Sequence, residues 1–237
     1  MRPYTICYLS TNAHGKIDGG FFGAKEAAKP LGEYRKRWIE MDCDATIYGS
    51  VTMALFADGY IDKLVKSKEV YQRVDYISNH HEKKHYLVID PTGTVAYDSN
   101  TIEVKGRGIH DIIVVVTENI SDDYLAYLHS LDISYIFSGK EELDVTIMMH
   151  KAYELFNIHT ALLSGGGYTD YTFLEKGMID EIKLLQIPVI DGDIDTHPSF
   201  IKYKDLGQKA IGLKLKEVEV IEDDALMITY LPKNIQE

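Results

Sequence analysis

Cysteine is scarce in this 237-residue sequence, which holds only Cys7 and Cys43. Two cysteines exclude a disulfide framework or a cysteine-rich metal site and fit a reducing compartment; both read as small buried hydrophobes. Long apolar runs are missing as well, none approaching the about 20 residues of a membrane-spanning helix. Met1-Arg2-Pro3-Tyr4 enters a strand-like run at once, with no apolar leader stretch and no small-residue cleavage site. The expectation is a cytoplasmic protein with no membrane partner. Basic residues are in short supply too, 25 Lys and Arg against 37 Asp and Glu, for a net charge of −12. Binding a nucleic-acid backbone takes clustered Lys and Arg, so nucleic acid is not an expected partner. A single bound phosphate remains compatible with that charge, because backbone N–H groups hold one locally. Internal repeats, low-complexity segments and Pro/Gly/Ser linkers are all lacking, which points to one domain over residues 1–237.

What is present is an ordinary globular composition, 45% hydrophobic and 26% charged. Tyr4 to Leu9 reads as a buried strand, followed by a long irregular loop from Ser10 to Gly23. Leu31 to Met41 has helical spacing. Ala45 to Tyr48 is a short strand ending at Gly49, and Ser50 or Thr52 opens a helix through Phe56. Asp62 to Arg73 reads as a charged helix. His85 to Ile89 is a strand closed by Asp90-Pro91-Thr92-Gly93, and Asp111 to Val116 is a β-branched strand of the buried parallel kind. Ser121 caps a helix containing Leu125 and Leu128. Ile133 to Phe137 is the next strand, and Asp144 caps the helix after it. Thr160 to Leu163 is a strand running into Ser164-Gly165-Gly166-Gly167, with a short helix over about Tyr171 to Lys176. Beyond Asp180 the pattern turns to strands: Glu181 to Pro188, then Leu213 to Val220 and Ala225 to Leu231 as an antiparallel hairpin. Alternating strands and helices followed by strands give an α/β class.

The sharpest motif is the strand Thr160 to Leu163 entering three consecutive glycines. Bare backbone lets a ligand approach closely, and the free N–H groups of a helix start suit a phosphate. A tight turn holding no ligand has the same local signature. The spacing is neither G-x-G-x-x-G nor a P-loop. A second strand-to-helix turn, Asp44 to Thr52 with Gly49, Ser50 and Thr52, offers N–H groups and hydroxyls of the same kind, and also reads as a plain capped helix. On one parallel sheet both turns would open at the C-terminal strand edge, where open α/β sheets bind ligands. His81-Glu82-Lys83-Lys84-His85 spells the metalloprotease motif His-Glu-x-x-His. It runs straight into a strand, lacks the flanking periodicity of a buried helix and has no third ligand, so it reads as a chance match and no metal is expected.

Taken together, these blocks resemble the reductase domain of bifunctional riboflavin-biosynthesis proteins. The resemblance is carried by Leu163 to Gly167, by Phe173-Leu174-Glu175-Lys176-Gly177-Met178-Ile179-Asp180-Glu181, and by Ile187-Pro188-Val189-Ile190-Asp191-Gly192. Asp44 to Thr52, Gly15-Lys16-Ile17 and Val88-Ile89-Asp90 add to it, in the same order along the chain. The resemblance implies a dihydrofolate-reductase-like fold: a mostly parallel central sheet, helices on both faces, an antiparallel C-terminal hairpin, and usually a homodimer. It implies NADPH as hydride donor. Gly49, Thr52, Gly165, Gly166, Gly167 and Tyr168 would lie along the cofactor, and Asp90 near its adenosine end; Ser50, in the second turn, is compatible with the cofactor's 2′-phosphate. The implied activity is that of a 5-amino-6-(5-phosphoribosylamino)uracil reductase, which turns a ribose into a ribityl chain. The zinc deaminase partner domain of such proteins has no counterpart here. Two positions depart from the family: His14 replaces the acidic residue before Gly-Lys, and Ser164 replaces the one before Gly-Gly. Both changes fall on the substrate side, where His14, Lys16 and Ser164 are the candidate catalytic residues, with Asp18 a weaker stand-in for a lost carboxylate. A dihydrofolate reductase with another substrate, or a non-catalytic nucleotide-binding protein of the same fold, are the competing readings.

Overall fold

The computed structural model describes residues 1–80, 82–202 and 210–233. The chain forms two compact units, one from Met1–Pro3 and Cys43–Ala161, the other from Tyr4–Asp42 and Leu162 onward. It passes from the first unit to the second within strand β7 (Thr160–Leu163).

In the first unit, β2 (Ala45–Gly49), β3 (His85–Ile89), β5 (Gly108–Val116) and β6 (Ser134–Phe137) pair in parallel, with Gly49 beside Ile89, Ile89 beside Val115 and Val116 beside Phe137. β4 (Thr101–Val104) runs antiparallel along the first half of β5, and β6 takes the second half. The run from His110 to Val116 is buried throughout, as expected of a strand covered on both faces. Helices α2 (Ser50–Ala54), α3 (Asp122–Ser130) and α4 (Val145–Phe156) follow β2, β5 and β6. Ser121 caps α3 by accepting from Tyr124 N, and Asp144 caps α4 by accepting from Thr146 and Ile147 N, as their sequence positions predict. Tyr86, Val88, Ile112, Val114, Tyr124, Leu125 and Leu128 build a core in which each large apolar side chain contributes about 1.5–3 kcal/mol.

Asp62 to Arg73, expected to be a helix, has no helical turn. Its backbone amides find carboxylates instead of carbonyls one turn back. Ser67 N donates to Asp123 Oδ1 at 2.8 Å, and Tyr71 N to Asp122 Oδ1 at 3.2 Å. The Arg73 guanidinium bonds Asp122 and the Ile120 carbonyl. Side chains at the start of α3 thus outbid the local helix.

In the second unit, β1 (Tyr4–Thr11) pairs in parallel with β8 (Glu181–Gln186), and β10 (Leu226–Pro232) joins β8 antiparallel. β9 (Leu213–Val220) closes the expected C-terminal hairpin with β10. Helix α1 (Ala28–Glu40) is fixed by the ring of Tyr34, stacked on Tyr8 at 4.2 Å with each hydroxyl donating to the other's carbonyl. Helix α5 (Gly167–Glu175) follows β7. The chain therefore forms the mostly parallel α/β architecture that its sequence announces.

Candidate cofactor and substrate site

Helix α5 begins at Gly167, ahead of the start near Tyr171 that side-chain spacing suggests. Gly166 is its N-cap, extended at φ −77° and ψ 166°, and Asp170 N already bonds the Gly166 carbonyl at 3.1 Å. No side chain caps this helix start. The glycine triplet is therefore the helix N-terminus itself, where amide dipoles converge on an anion.

The three glycines are not equivalent. A Cβ on Gly165 would come 2.8 Å from Thr169, and one on Gly167 would come 2.4 Å from the Pro198 carbonyl. At Gly166 a Cβ meets nothing within 4 Å among the described residues. Gly165 and Gly167 let the turn pack against its own unit, and Gly166 presents open backbone outward. Tyr168, next along the helix, is exposed. Ser164 is half-buried and its hydroxyl donates to the Tyr8 carbonyl at 3.1 Å.

The loop after β1 is organised by Asn12, which is fully buried. Its Oδ1 accepts from Lys16 N at 2.9 Å and from His14 N at 3.3 Å. A strap from Thr196 to Ile201 binds this loop to the glycine turn. Ile17 N bonds the His197 carbonyl, Ser199 N and Oγ both reach the Gly15 carbonyl, and Ile201 N reaches the Gly167 carbonyl at 2.9 Å. The strap holds the Lys16 ammonium, which donates to the Thr196 carbonyl. Asp18 is engaged by His197, through its N at 2.6 Å and Nδ1 at 2.7 Å.

The carboxylate facing His14 is Asp191. Its Oδ1 lies 3.9 Å from His14 Nε2, and Asn12 Nδ2 is 3.5 Å from both atoms. Burial works to raise the Asp191 carboxyl, but the amides of Asp193 and Phe21 and the His14 ring outweigh it and hold the group below its ordinary range. Asp191 therefore stays ionised at neutral pH. Asn12 and Asp191 were not singled out from sequence. Asp191 lies inside the Pro188 to Gly192 block, yet nothing in local spacing pairs it with a histidine so far away in the chain.

In the first unit, Gly49 is the N-cap of α2, extended at φ −77° and ψ 163°, with Ser50 and Thr52 half-buried in the first turn. Asp90, at the end of β3, is 1% exposed. Its carboxylate accepts from Thr94 N and Oγ1, Val95 N and Tyr124 OH at 2.7–3.2 Å, so it fixes the turn that follows. A cavity of about 440 Å³ in this unit is lined by Asp58, Asp98 and Glu103 with Phe56, Tyr97 and Thr101. Three carboxylates make it a poor seat for an anionic cofactor. Of the His-Glu-x-x-His match, His81 lies outside the described residues. His85 opens β3, with Nδ1 3.6 Å from Asp111 Oδ2, so the helix that would place two histidines on one face is not formed. Among the described residues no cluster suited to a metal ion occurs.

A mostly parallel α/β sheet with an antiparallel C-terminal hairpin, one strand running into a glycine-built helix start, defines a fold of the dihydrofolate-reductase type. The chain belongs to the RibD C-terminal domain family, whose model matches residues 8–227. A 2,5-diamino-6-ribosylamino-4(3H)-pyrimidinone 5′-phosphate reductase of Aquifex aeolicus is 27% identical over 101 residues, 43% of each chain. Among solved structures, a pyrimidine reductase-like protein of Corynebacterium diphtheriae has a TM-score of 0.66 at 15% identity, over 98% of this chain and 92% of its own. The riboflavin biosynthesis reductase of Saccharomyces cerevisiae has a TM-score of 0.60 at 14% identity, over 98% and 90%. RibD of Acinetobacter baumannii has a TM-score of 0.61 at 15% identity over 98% of this chain and only 58% of its own. At such identities the solved structures speak for the fold. The match to the Aquifex protein spans less than half of either chain.

Proposed function

We propose that the chain is an NADPH-dependent reductase of a phosphoribosylamino-pyrimidine in riboflavin biosynthesis, of the 5-amino-6-(5-phosphoribosylamino)uracil reductase type, working in the cytoplasm as a homodimer. The observation that carries the reading is the outward-facing backbone of Gly166 at an uncapped helix start. Such a cradle accepts a phosphate where any side chain would fill the space. Gly165 and Gly167 shape it, and Tyr168 borders it. Gly49 and Thr52 are assigned to the cofactor by the family resemblance, and Ser50 by its place between them. Asp90 acts there through the turn it holds, since its carboxylate is engaged inward.

When bound, the nicotinamide supplies the hydride, and this chain supplies position and a proton. His14 Nε2 is the group placed to hand that proton over, with ionised Asp191 3.9 Å away. Asp191 thereby returns a carboxylate to the substrate side, where His14 and Ser164 stand in place of the family's acidic residues. Ser164 holds the strand end through Tyr8, and Lys16 fixes the strap through Thr196. Oxidation of NADPH in the presence of the phosphoribosylamino-pyrimidine tests the activity directly. His14→Ala should lower kcat by about 10²-fold with NADPH affinity unchanged; an unaltered kcat removes His14 from the reaction.

A homodimer is supported by β9. Its apolar side chains Leu213, Leu215, Val218 and Val220 are all exposed. The register with β10 shifts at Lys216, so these four pair with Pro232, Tyr230, Ile228 and Leu226 and share one face. The sequence Leu-Lys-Leu-Lys-Glu-Val-Glu-Val is also complementary to its own reverse, matching Leu with Val and Lys with Glu throughout.

A further inference from the structure

One buried titratable group lies directly under the glycine turn and has no role in the reaction described above. Asp170 is the fourth residue of α5 and is 0% exposed. Neither of its oxygens has a hydrogen-bond partner among the described residues. Oδ1 lies 3.2 Å from where a Gly165 Cβ would sit, so the carboxyl closes the turn from beneath. The Gly165 amide faces it without a regular hydrogen bond. The other titratable group facing it is the Cys7 thiol of β1, itself fully buried. No Lys, Arg or His among the described residues pairs with it.

We propose that Asp170 works as a neutral carboxylic acid, a positioning residue that holds the Gly165–Gly167 amides ready for a phosphate. This rests on the reading of that turn as the cofactor's phosphate contact. A carboxylate sealed from water and without a cation among the described residues is strongly disfavoured, so the group keeps its proton. Burial pushes its acid well above the ordinary range, against the smaller opposing pull of the Gly165 amide. The neutral acid adds no charge beneath the turn. Ionised, it would draw the same helix-start amides inward and repel the incoming phosphate. Cofactor and proton are therefore linked: a phosphate on the turn favours the acid form, and losing the proton weakens cofactor binding.

The linkage also sets a stability trend. Because the folded-state acid is weaker than the unfolded one, its contribution is full below the ordinary carboxyl range. It is lost as pH rises toward the folded-state value. Asp170→Asn, neutral and isosteric, should remove that loss, so its advantage in melting temperature over the parent grows with pH.

Three forms of the full chain test this: parent, Asp170→Asn and Asp170→Leu. Infrared difference spectra without ligand should show a carboxylic-acid C=O band in the parent that Asp170→Asn lacks; no such band overturns the proposal. NADPH titrations from about pH 6 to about pH 9 should show affinity falling with pH in the parent and flat in Asp170→Asn. Asp170→Leu, apolar and of similar size, should bind about tenfold more weakly than Asp170→Asn at the low end. Equal affinities and equal pH profiles in all three overturn the positioning role even if the band is present. A parent that shows the band yet binds no NADPH defeats the cofactor reading of the turn, and the positioning role falls with it. Should Asp170→Leu fail to fold, the contrast between parent and Asp170→Asn decides alone.

Discussion

A methyl group added at Gly167 would sit 2.4 Å from the Pro198 carbonyl, whereas one added at Gly166 meets nothing within 4 Å among the described residues. Gly166 has ordinary negative φ, so no backbone strain forbids a side chain there. Gly166→Ala and Gly166→Val should therefore leave the melting temperature within about 2 °C of the parent. Gly166→Val should nonetheless weaken NADPH binding by about tenfold or more, because its branches fill the phosphate's space. Gly167→Ala should do the reverse, costing about 1–3 kcal/mol of stability through overpacking against the strap. Thermal melts and NADPH titrations of the three variants check both halves; undiminished affinity in Gly166→Val would falsify the cofactor assignment. The glycine triplet was legible in the sequence as a strand-to-helix turn, but its division of labour was not. That division depends on Pro198 and Ile201, which come from a remote strap with no motif of its own. The His14 and Asp191 pair was hidden for the same reason: two loops distant in the chain supply its two side chains.

At the scale of elements, strand ends are held by carboxylates as much as by sheet pairing. Asp44, just before β2, accepts from His159 N, Thr160 N and Thr160 Oγ1, each at 2.9 Å, and so fixes the start of β7 in the first unit. Burial pulls the Asp44 carboxyl upward, but these donors and nearby Lys84 prevail and lower it. A carboxyl lowered in the folded state adds stability above its unfolded value, and that stability drains away as pH falls through the folded-state value. Asp44→Asn should thus cost about 1 kcal/mol at neutral pH, discounted for a group still partly in water. The difference from the parent should shrink in acid below the ordinary carboxyl range, and denaturant titrations at several pH values measure it. A deficit that stays constant into acid would assign the effect to packing. Strands with strong apolar runs, such as His85–Ile89 and Thr160–Leu163, were readable to the residue. Thr101–Val104 was not, because one buried side chain, Ile102, leaves no period to detect. Asp62 to Arg73 misled because its charges look helical in one dimension, while in three they answer Asp122 and Asp123.

For the molecule as a whole, a net charge of −12 sets the terms on which it would meet the proposed polyanionic cofactor and, in the proposed homodimer, its own copy. Long-range attraction cannot recruit the cofactor, so local amides must hold it, and binding should depend little on salt. Self-association has to overcome like-charge repulsion, which leaves a contiguous apolar face as the feature able to drive it. Leu213, Leu215, Val218 and Val220 form such a face, with exposures of 36%, 53%, 54% and 71%. An isologous contact places a strand against its own reverse. In that arrangement the basic half of β9, Lys214 and Lys216, meets the acidic half, Glu217 and Glu219, and selects the antiparallel orientation. Arg37 already grips Glu219 at 2.8 and 2.9 Å, and Lys216 reaches Glu181, so these charges steer more than they bind. Light scattering should therefore find the parent dimeric, with the dimer persisting in high salt. Leu215→Glu combined with Val218→Glu should elute as a monomer with its circular dichroism intact, because both sites are exposed within the single chain. Its melting temperature should lose the protein-concentration dependence that the parent shows. A parent that scatters as a monomer at every concentration, or a double variant that stays dimeric, removes β9 from the interface.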